Sequence, residues 1–253
     1  MTTKILELPP SLPESINEEV GGHKFCPGCG HGMVLKTLGW AIDDLGLRDK
    51  SVFGCDIGCS LLSWNLMDID SVQTHHGRTT AVIYGVTRAN PEAIGIAYMG
   101  DGGGLAIGAQ HLVNAAVRGE KMLIVLVNNT NYGMTGGQMS PTTLPGQKTE
   151  TTPYGRDCSV TGKPAKGAEM IAAIADPDKS YVSRATVSNL RGLRSTFKKA
   201  LKNVDMGGFS FVEVLSLCPL NWRTNAKDTW ARLKTMEEFF EVKEFISREG
   251  LEA

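Results

Sequence analysis

Asp101, Asn129 and Asn131 combine residue type and spacing in a way that suggests metal chemistry. Asp101 stands in Gly100-Asp101-Gly102-Gly103-Gly104, straight after the apolar run Ala93 to Met99. Twenty-five residues (103–127) separate Gly102 from Asn128, and Asn128-Asn129 closes a second apolar run, Met122 to Val127. Asp101 offers a hard carboxylate oxygen, Asn129 an amide oxygen and Asn131 a main-chain carbonyl. Mg²⁺ takes about six such oxygens and usually completes its octahedron with water and substrate phosphates. Glycines beside Asp101 let the backbone approach a diphosphate with no Cβ in between. A helix opening near Leu105 would aim its free N–H groups at that anion. Two other readings compete. A nicotinamide fingerprint, Gly-x-Gly-x-x-Gly, fails on the count: Leu105 falls at the third glycine from Gly100, and Ile107 from Gly102. A ligand-free turn explains the glycines but not the asparagine pair at that distance.

The cysteines form a second group: Cys26, Cys29, Cys55, Cys59, Cys158 and Cys218. Cys26-Pro27-Gly28-Cys29 is a tight turn that points two sulfurs at one centre. A thioredoxin-like dithiol opens a helix after a strand, and no strand is expected before Cys26. Structural zinc commonly adds a second Cys-x-x-Cys pair, and no other pair has that spacing. An iron–sulfur cluster takes four thiolates that the fold can gather from scattered positions. On spacing alone all three stay open. Disulfides are the poorer reading for an intracellular chain of this size.

The elements that must hold these residues are legible from periodicity. Val34, Leu35, Leu38, Ala41, Ile42 and Leu45 recur at helical spacing from Met33 on, and Gly46 fits the helix end. Strands are expected at 51–54, just before Thr74, and at 93–99, 122–127, 180–184 and 209–215. Helices are expected at 79–88, 105–117, 167–175, 189–203 and about 229–248. Asn90-Pro91 stops the helix before it. Residues 129–159 are long, rich in Gly, Thr and Pro, and aperiodic, as functional loops are. Repeated β–α alternation predicts an α/β fold: one mostly parallel sheet with helices on both faces, a single domain over 1–253. Residues 1–22 read as an N-terminal arm able to pack on a neighbour, and 227–253 as a C-terminal helical segment. The β–α layout places Gly-Asp-Gly and Asn-Asn at one edge of the sheet, where open α/β sheets bind ligands.

Composition narrows the classes. With 253 residues and 42% apolar content the chain can bury one large core. A net charge of −1 with no basic tract speaks against nucleic acid or a membrane surface as partner. The polar, proline-bearing start lacks a basic-then-apolar signal, and no apolar run approaches the ~20 residues of a bilayer span. A cytoplasmic location is expected.

Gly-Asp-Gly followed by Asn-Asn resembles the thiamine diphosphate motif. Together with Cys-Pro-Gly-Cys-Gly-His, Gly-Cys-Ser, His-Gly-Arg, Tyr-Gly-Met-Thr-Gly-Gly-Gln and a late Cys-Pro, it is similar to the thiamine-binding β subunit of the 2-oxoacid:ferredoxin oxidoreductases. The likeness covers nearly the whole chain. It implies a [4Fe-4S] cluster on Cys26, Cys29, Cys59 and Cys218, leaving Cys55 as a buried apolar residue and Cys158 as a loop thiol. It implies thiamine diphosphate contacts from Gly58, Cys59, Ser60, His75, His76, Gly77, Arg78, Gly100, Asp101, Gly102, Gly103, Asn129, Asn131, Tyr132, Gly133, Met134 and Thr135, with Mg²⁺ on Asp101, Asn129 and Asn131. Met134 would be the apolar wedge beneath the thiazolium, and His31 reads as an ordinary first-turn residue.

The resemblance further implies oxidative decarboxylation of a 2-oxoacid to acyl-CoA and CO₂, with electrons leaving through the cluster to ferredoxin. Glu120, Glu150 and Glu213 show no mark of a general base, so the carboxylate that activates the aminopyrimidine is expected from an α subunit. The chain also lacks a Cys-x-x-Cys-x-x-Cys-x-x-x-Cys-Pro ferredoxin run, which points to γ and ferredoxin-like δ subunits as further partners. A different reading keeps the cofactor without redox chemistry, as a non-oxidative 2-oxoacid decarboxylase subunit with structural zinc. Another is a zinc-stabilised scaffold without activity.

Overall fold

The computed structural model of the chain describes residues 12–251. Seven strands form one sheet: β1 (Ser51–Cys55), β2 (Asp70–Gln73), β3 (Ile94–Gly100), β4 (Met122–Asn128), β5 (Ser180–Thr186), β6 (Phe209–Leu215) and β7 (Glu244–Ile246). Their spatial order is β2-β1-β3-β4-β6-β5-β7. Every neighbouring pair is parallel except β5 with β7. The α-helices are α1 (His31–Asp44), α2 (Thr79–Ala89), α3 (Ala109–Arg118), the single turn α4 (Cys158–Thr161), α5 (Gly167–Ala172), α6 (Leu190–Asp205), the single turn α7 (Pro219–Trp222) and α8 (Ala226–Phe239).

Period-2 alternation sorts the strand side chains onto two faces. Ile94, Ile96 and Tyr98 of β3 and Leu123, Val125 and Val127 of β4 join the apolar faces of α1 and α6. Ala97, Met99, Ile124 and Leu126 point the other way, onto α2, α3 and α5. Central strands buried on both faces therefore read as continuous apolar runs. That is why their positions were legible without any alternation.

Two expectations are corrected. The helix expected from Leu105 begins instead as a π turn, Gly103–Ile107, with the Gly108 N–H donating to Gly103 O at 2.8 Å before α3 starts at Ala109. Glycines permit this wider turn, and Gly108 packs so closely on Gly77 that a Cβ would lie 2.6 Å from the Gly77 carbonyl. The C-terminal helix stops at Phe239 rather than near 248, and Glu244–Ile246 forms β7 instead. Arg184 of β5 explains the reversal. Its guanidinium donates to Glu241 O at 3.0 Å, and its N–H to Lys243 O at 2.9 Å. The edge of β5 is thereby covered, and its backbone groups find partners. In the expected N-terminal arm, Pro13, Ser15 and Ile16 are buried against the chain itself, while Glu18, Glu19, Gly21 and Gly22 are exposed. Ile16 bridges to Met67, and the Ser15 hydroxyl donates to Asp43 of α1 at 2.5 Å. Residues 1–11 of that arm lie outside the described residues.

Candidate active site

The chain passes outward from β1 to β2 and then, after α2, in the opposite direction from β3 to β4. β1 and β3 thus flank the topological switch point, where open α/β sheets form a crevice at the strands' carboxyl ends. One cleft lies there, lined by His31, Ile57 to Ser60, His76, Gly100 to Gly103, Asn129 and Asn131 to Thr135. It brings together Gly58, Cys59, Ser60, His76, Gly100, Asp101, Gly102, Gly103, Asn129, Asn131, Tyr132, Gly133, Met134 and Thr135. His75, Gly77 and Arg78 do not line it. His75 and Arg78 are exposed, and the Arg78 guanidinium donates to Ile107 O at 3.3 Å. Gly77 lies buried under the rim.

In the glycine-lined corner Asp101 is 2% exposed and accepts from Ser140 Oγ at 2.6 Å and from Thr142 Oγ1. Burial pushes its carboxyl up to about 6, opposed by those two hydrogen bonds. A divalent cation would supply the missing counter-charge and hold it ionised. Asn129 and Asn131 are buried beside it. The Asn131 N–H donates to Asn129 Oδ1 at 3.3 Å, and Trp222 Nε1 to Asn129 O at 3.0 Å. A Cβ at Gly58 or Gly100 would meet nothing within 4 Å, so bare backbone faces the cleft at both. A Cβ at Gly102 would instead stand 2.0 Å from the Tyr132 ring, and at Gly103 2.0 Å from Asp56 Oδ2. Hard oxygens, exposed backbone and a buried carboxylate fit Mg²⁺ with a diphosphate.

Asp56 is a site residue that sequence reasoning missed. It is fully buried at the end of β1. It accepts from the Gly77 N–H at 2.6 Å and Thr79 Oγ1 at 3.2 Å, and pairs with His76 Nδ1 at 3.0 Å. Burial raises its carboxyl, while His76 and the Gly77 N–H oppose the rise. It orients His76 at the cleft wall and pins the His-Gly-Arg segment. An acidic residue between Cys55 and Ile57, right after an apolar strand, was the available signal. His31 was likewise read too blandly. It is buried, stacks on Phe25 with ring centroids 5.0 Å apart, meets Tyr98 Oη at 2.6 Å, and lines the cleft. Burial lowers its imidazole to about 4, keeping it neutral.

The cysteine corner adjoins the same cleft. Burial pushes the Cys29 and Cys59 thiols up to about 12, and each also feels Cys218 and Cys26 nearby. The Cys218 thiol, itself raised by burial, donates to Asn131 Oδ1 at 3.8 Å and accepts from Asn221 Nδ2 at 3.5 Å. Asn221 Nδ2 also donates to Gly133 O at 2.8 Å, and a Cβ on Gly133 would stand 2.9 Å from Cys59 Sγ. The Cys26–Cys29 turn is drawn in by the Gly30 N–H, which donates to Leu217 O at 3.1 Å. Cys26, Cys29, Cys59 and Cys218 therefore gather, whereas Cys55 faces Val72 O at 3.8 Å beneath the sheet and Cys158 opens α4. Among the described residues no three His, Cys, Asp or Glu side chains are arranged to share one metal ion. A four-iron cluster asks for a different geometry, since each thiolate holds its own iron around the cube. One buried thiol, Cys218, two half-buried ones, Cys29 and Cys59, and the exposed Cys26, with no disulfide among them, fit such a polycation.

The three glutamates expected to be inert are each committed to arginines: Glu120 to Arg88 and Arg118, Glu150 to Arg223, and Glu213 to Arg184. Among the described residues no helix is long and apolar enough to cross a membrane.

Residues 56–214 match the family of thiamine pyrophosphate enzymes, C-terminal TPP binding domain. Ketoisovalerate oxidoreductase subunit VorA of Methanothermobacter thermautotrophicus is 41% identical over 98% of this chain and 54% of its own length. 2-Oxoglutarate synthase subunit KorB of Archaeoglobus fulgidus is 36% identical over 90% of this chain and 80% of its own. The chain thus spans about half of VorA. The solved 2-oxoglutarate:ferredoxin oxidoreductase from Magnetococcus marinus, with 2-oxoglutarate, coenzyme A and succinyl-CoA bound, superposes with a TM-score of 0.76 at 30% identity. That match covers 88% of this chain and 72% of the other. The chain belongs to the thiamine pyrophosphate enzymes and, within them, to the subunits of the 2-oxoacid:ferredoxin oxidoreductases.

Proposed function

We propose that this chain is the thiamine-binding subunit of a 2-oxoacid:ferredoxin oxidoreductase, converting a 2-oxoacid and coenzyme A to acyl-CoA and CO₂ with ferredoxin as electron acceptor. The observation that carries the reading is a shared wall. Asn131 to Gly133 lines the cofactor cleft, Asn131 Oδ1 accepts from the Cys218 thiol, and Gly133 leaves no room for a Cβ beside Cys59 Sγ. Bound thiamine diphosphate supplies an electron sink for the loss of CO₂, and a four-thiolate [4Fe-4S] cluster supplies low-potential one-electron transfer.

This chain's residues do the placing. Asp101, Asn129 Oδ1 and the Asn131 carbonyl would hold Mg²⁺, and the backbone at Gly100 and Gly58 would receive the diphosphate. His76, oriented by Asp56, faces the same cleft. Cys26, Cys29, Cys59 and Cys218 would hold the cluster one residue-layer away. No carboxylate of the described cleft is placed for the aminopyrimidine: Asp101 sits at the metal corner, and Asp56 is tied to Gly77 and His76. A partner α subunit supplies that group, and γ or ferredoxin-like δ subunits carry electrons onward. Reduced thiols and a cluster of this kind suit a reducing compartment such as the cytoplasm.

Iron, acid-labile sulfide and zinc content of the anaerobically purified chain, wild type against Cys59→Ala and Cys55→Ala, tests the reading. Roughly four irons with matching sulfide, lost in Cys59→Ala and kept in Cys55→Ala, is the expected result. One zinc without sulfide would leave a non-redox subunit in its place.

A further inference from the structure

Buried charge sits beneath the metal-binding turn with no part in the chemistry above. Glu213 of β6 is 0% exposed and Arg184 of β5 is 1% exposed, and their pair is joined by Glu169. Burying such charges is costly, and an apolar substitute of the same shape is often as stable. Their hydrogen bonds point to what the pair does.

Glu213 Oε2 accepts from Arg184 Nε at 2.9 Å and from the Ala168 N–H at 3.0 Å. Its Oε1 accepts from Asn128 Nδ2 at 2.7 Å. An ionised carboxylate can only accept, so the Asn128 amide has one usable orientation. Its NH₂ must face Glu213, which turns Oδ1 toward the loop, where it accepts from the Thr130 N–H at 3.1 Å. Thr130 lies at φ 60°, a left-handed conformation that a β-branched residue avoids. On its other side the Thr130 carbonyl accepts from Thr143 Oγ1 at 2.7 Å and Gln147 Nε2 at 2.9 Å. This strained residue sits between Asn129 and Asn131. Without that turn the two would not present their oxygens beside Asp101.

We infer that Glu213, anchored by Arg184, is a positioning residue for the metal site: it fixes the Asn128 amide, which holds Thr130 left-handed and so aims Asn129 and Asn131 at Mg²⁺. The inference rests on the cofactor reading above and adds a supporting relay to it.

The test is Mg²⁺ affinity at fixed thiamine diphosphate, measured by titration calorimetry on the complex captured through this chain, with melting temperature in parallel. Glu213→Gln presents one donor where two acceptors stood, and should weaken Mg²⁺ binding by about 10–100-fold, as loss of a ligand-orienting partner does. The double substitution Asn128→Asp/Glu213→Gln reverses the polarity of that one hydrogen bond. It leaves an acceptor for Thr130 and an acceptor end for Arg184, and should restore the affinity. Wild-type affinity in Glu213→Gln, or no recovery in the double variant, overturns the relay even if melting temperatures move. If Glu213→Gln does not fold, Asn128→Ala takes its place. Adding Thr130→Gly, which accepts the left-handed turn without support, should then recover binding, and failure to recover overturns the relay. Failure of the wild type itself to bind Mg²⁺ and thiamine diphosphate would strike the cofactor reading rather than the relay alone.

Discussion

The two halves of the cleft are built in opposite ways. The metal corner comes from one β–α–β unit, in which β3 delivers Gly100-Asp101 and β4 delivers Asn128 to Asn131. The sulfur corner comes from three distant stretches: the turn before α1, the loop after β1 and the strand end before α7. Strand register places these ligands, and buried side chains of β5, β6 and the loop after β4 hold them. A gathered corner depends on the whole core, since α1, β1 and β6 must all dock before the four thiols meet. The two corners touch along Asn131 to Gly133 and Asn221. They should therefore fail separately when struck apart from that seam, and together when struck at it.

Asp101→Ala should give the largest effect. It removes the one charged metal ligand proposed here, and Mg²⁺-dependent thiamine diphosphate binding should fall by more than about 100-fold. Cluster iron, measured on the same sample, should stay at the wild-type level; joint loss would show the corners to be one unit.

Gly103→Ala comes next. Its Cβ would stand 2.0 Å from Asp56 Oδ2, and both Asp56 and the π turn are fixed in place. Overpacking of this kind costs about 1–3 kcal/mol. Urea unfolding should show it, with cofactor affinity reduced and iron retained.

His31 probes the sulfur side by pH. Burial holds its imidazole at about 4 against an ordinary 6.5. The folded state therefore keeps it neutral while the unfolded chain protonates it first. Its contribution is fully present above 6.5 and declines as pH falls toward 4. Between pH 6.5 and 5 the loss should be roughly 2 kcal/mol. Urea unfolding across that range should show this slope in the wild type and a shallower one in His31→Gln.

Asn221→Ala strikes the seam with the smallest change. It removes the 2.8 Å bond to Gly133 O and the 3.5 Å bond to Cys218 Sγ. Hydrogen bonds to cluster sulfurs raise the potential, so the midpoint should become more negative, with a modest loss of cofactor affinity. An unchanged midpoint would separate Asn221 from the cluster.

What was legible in the sequence follows the same division. Strand positions, Gly-Asp-Gly and Asn-Asn could be read because each is short-range and carries its own period or spacing. The family likeness supplied the choice among six cysteines; spacing alone could not, because Cys55 and Cys59 lie within four residues of each other. Asp56 and the Arg184–Glu213–Asn128 relay stayed hidden because their partners lie 20 or more residues away. β7 was lost to the same cause. Glu244 to Ile246 continue a polar helical pattern, and contacts with Arg184, Tyr181 and Lys199, distant in sequence, hold the segment as a strand. His75 and Arg78 are exposed and lie off the cleft lining; a polar motif does not say which of its side chains face inward. His76 does so because Asp56 holds it.

The central claim is that the cofactor cleft and the four thiols form one electron-transfer site. The direct test is electron paramagnetic resonance of the anaerobic complex mixed with a 2-oxoacid, without ferredoxin, for wild type and Asp101→Ala at equal iron content. A reduced-cluster signal in the wild type, and none in Asp101→Ala, is the expected result. No substrate-dependent signal in iron-replete wild type, or an equal signal in both, would contradict it.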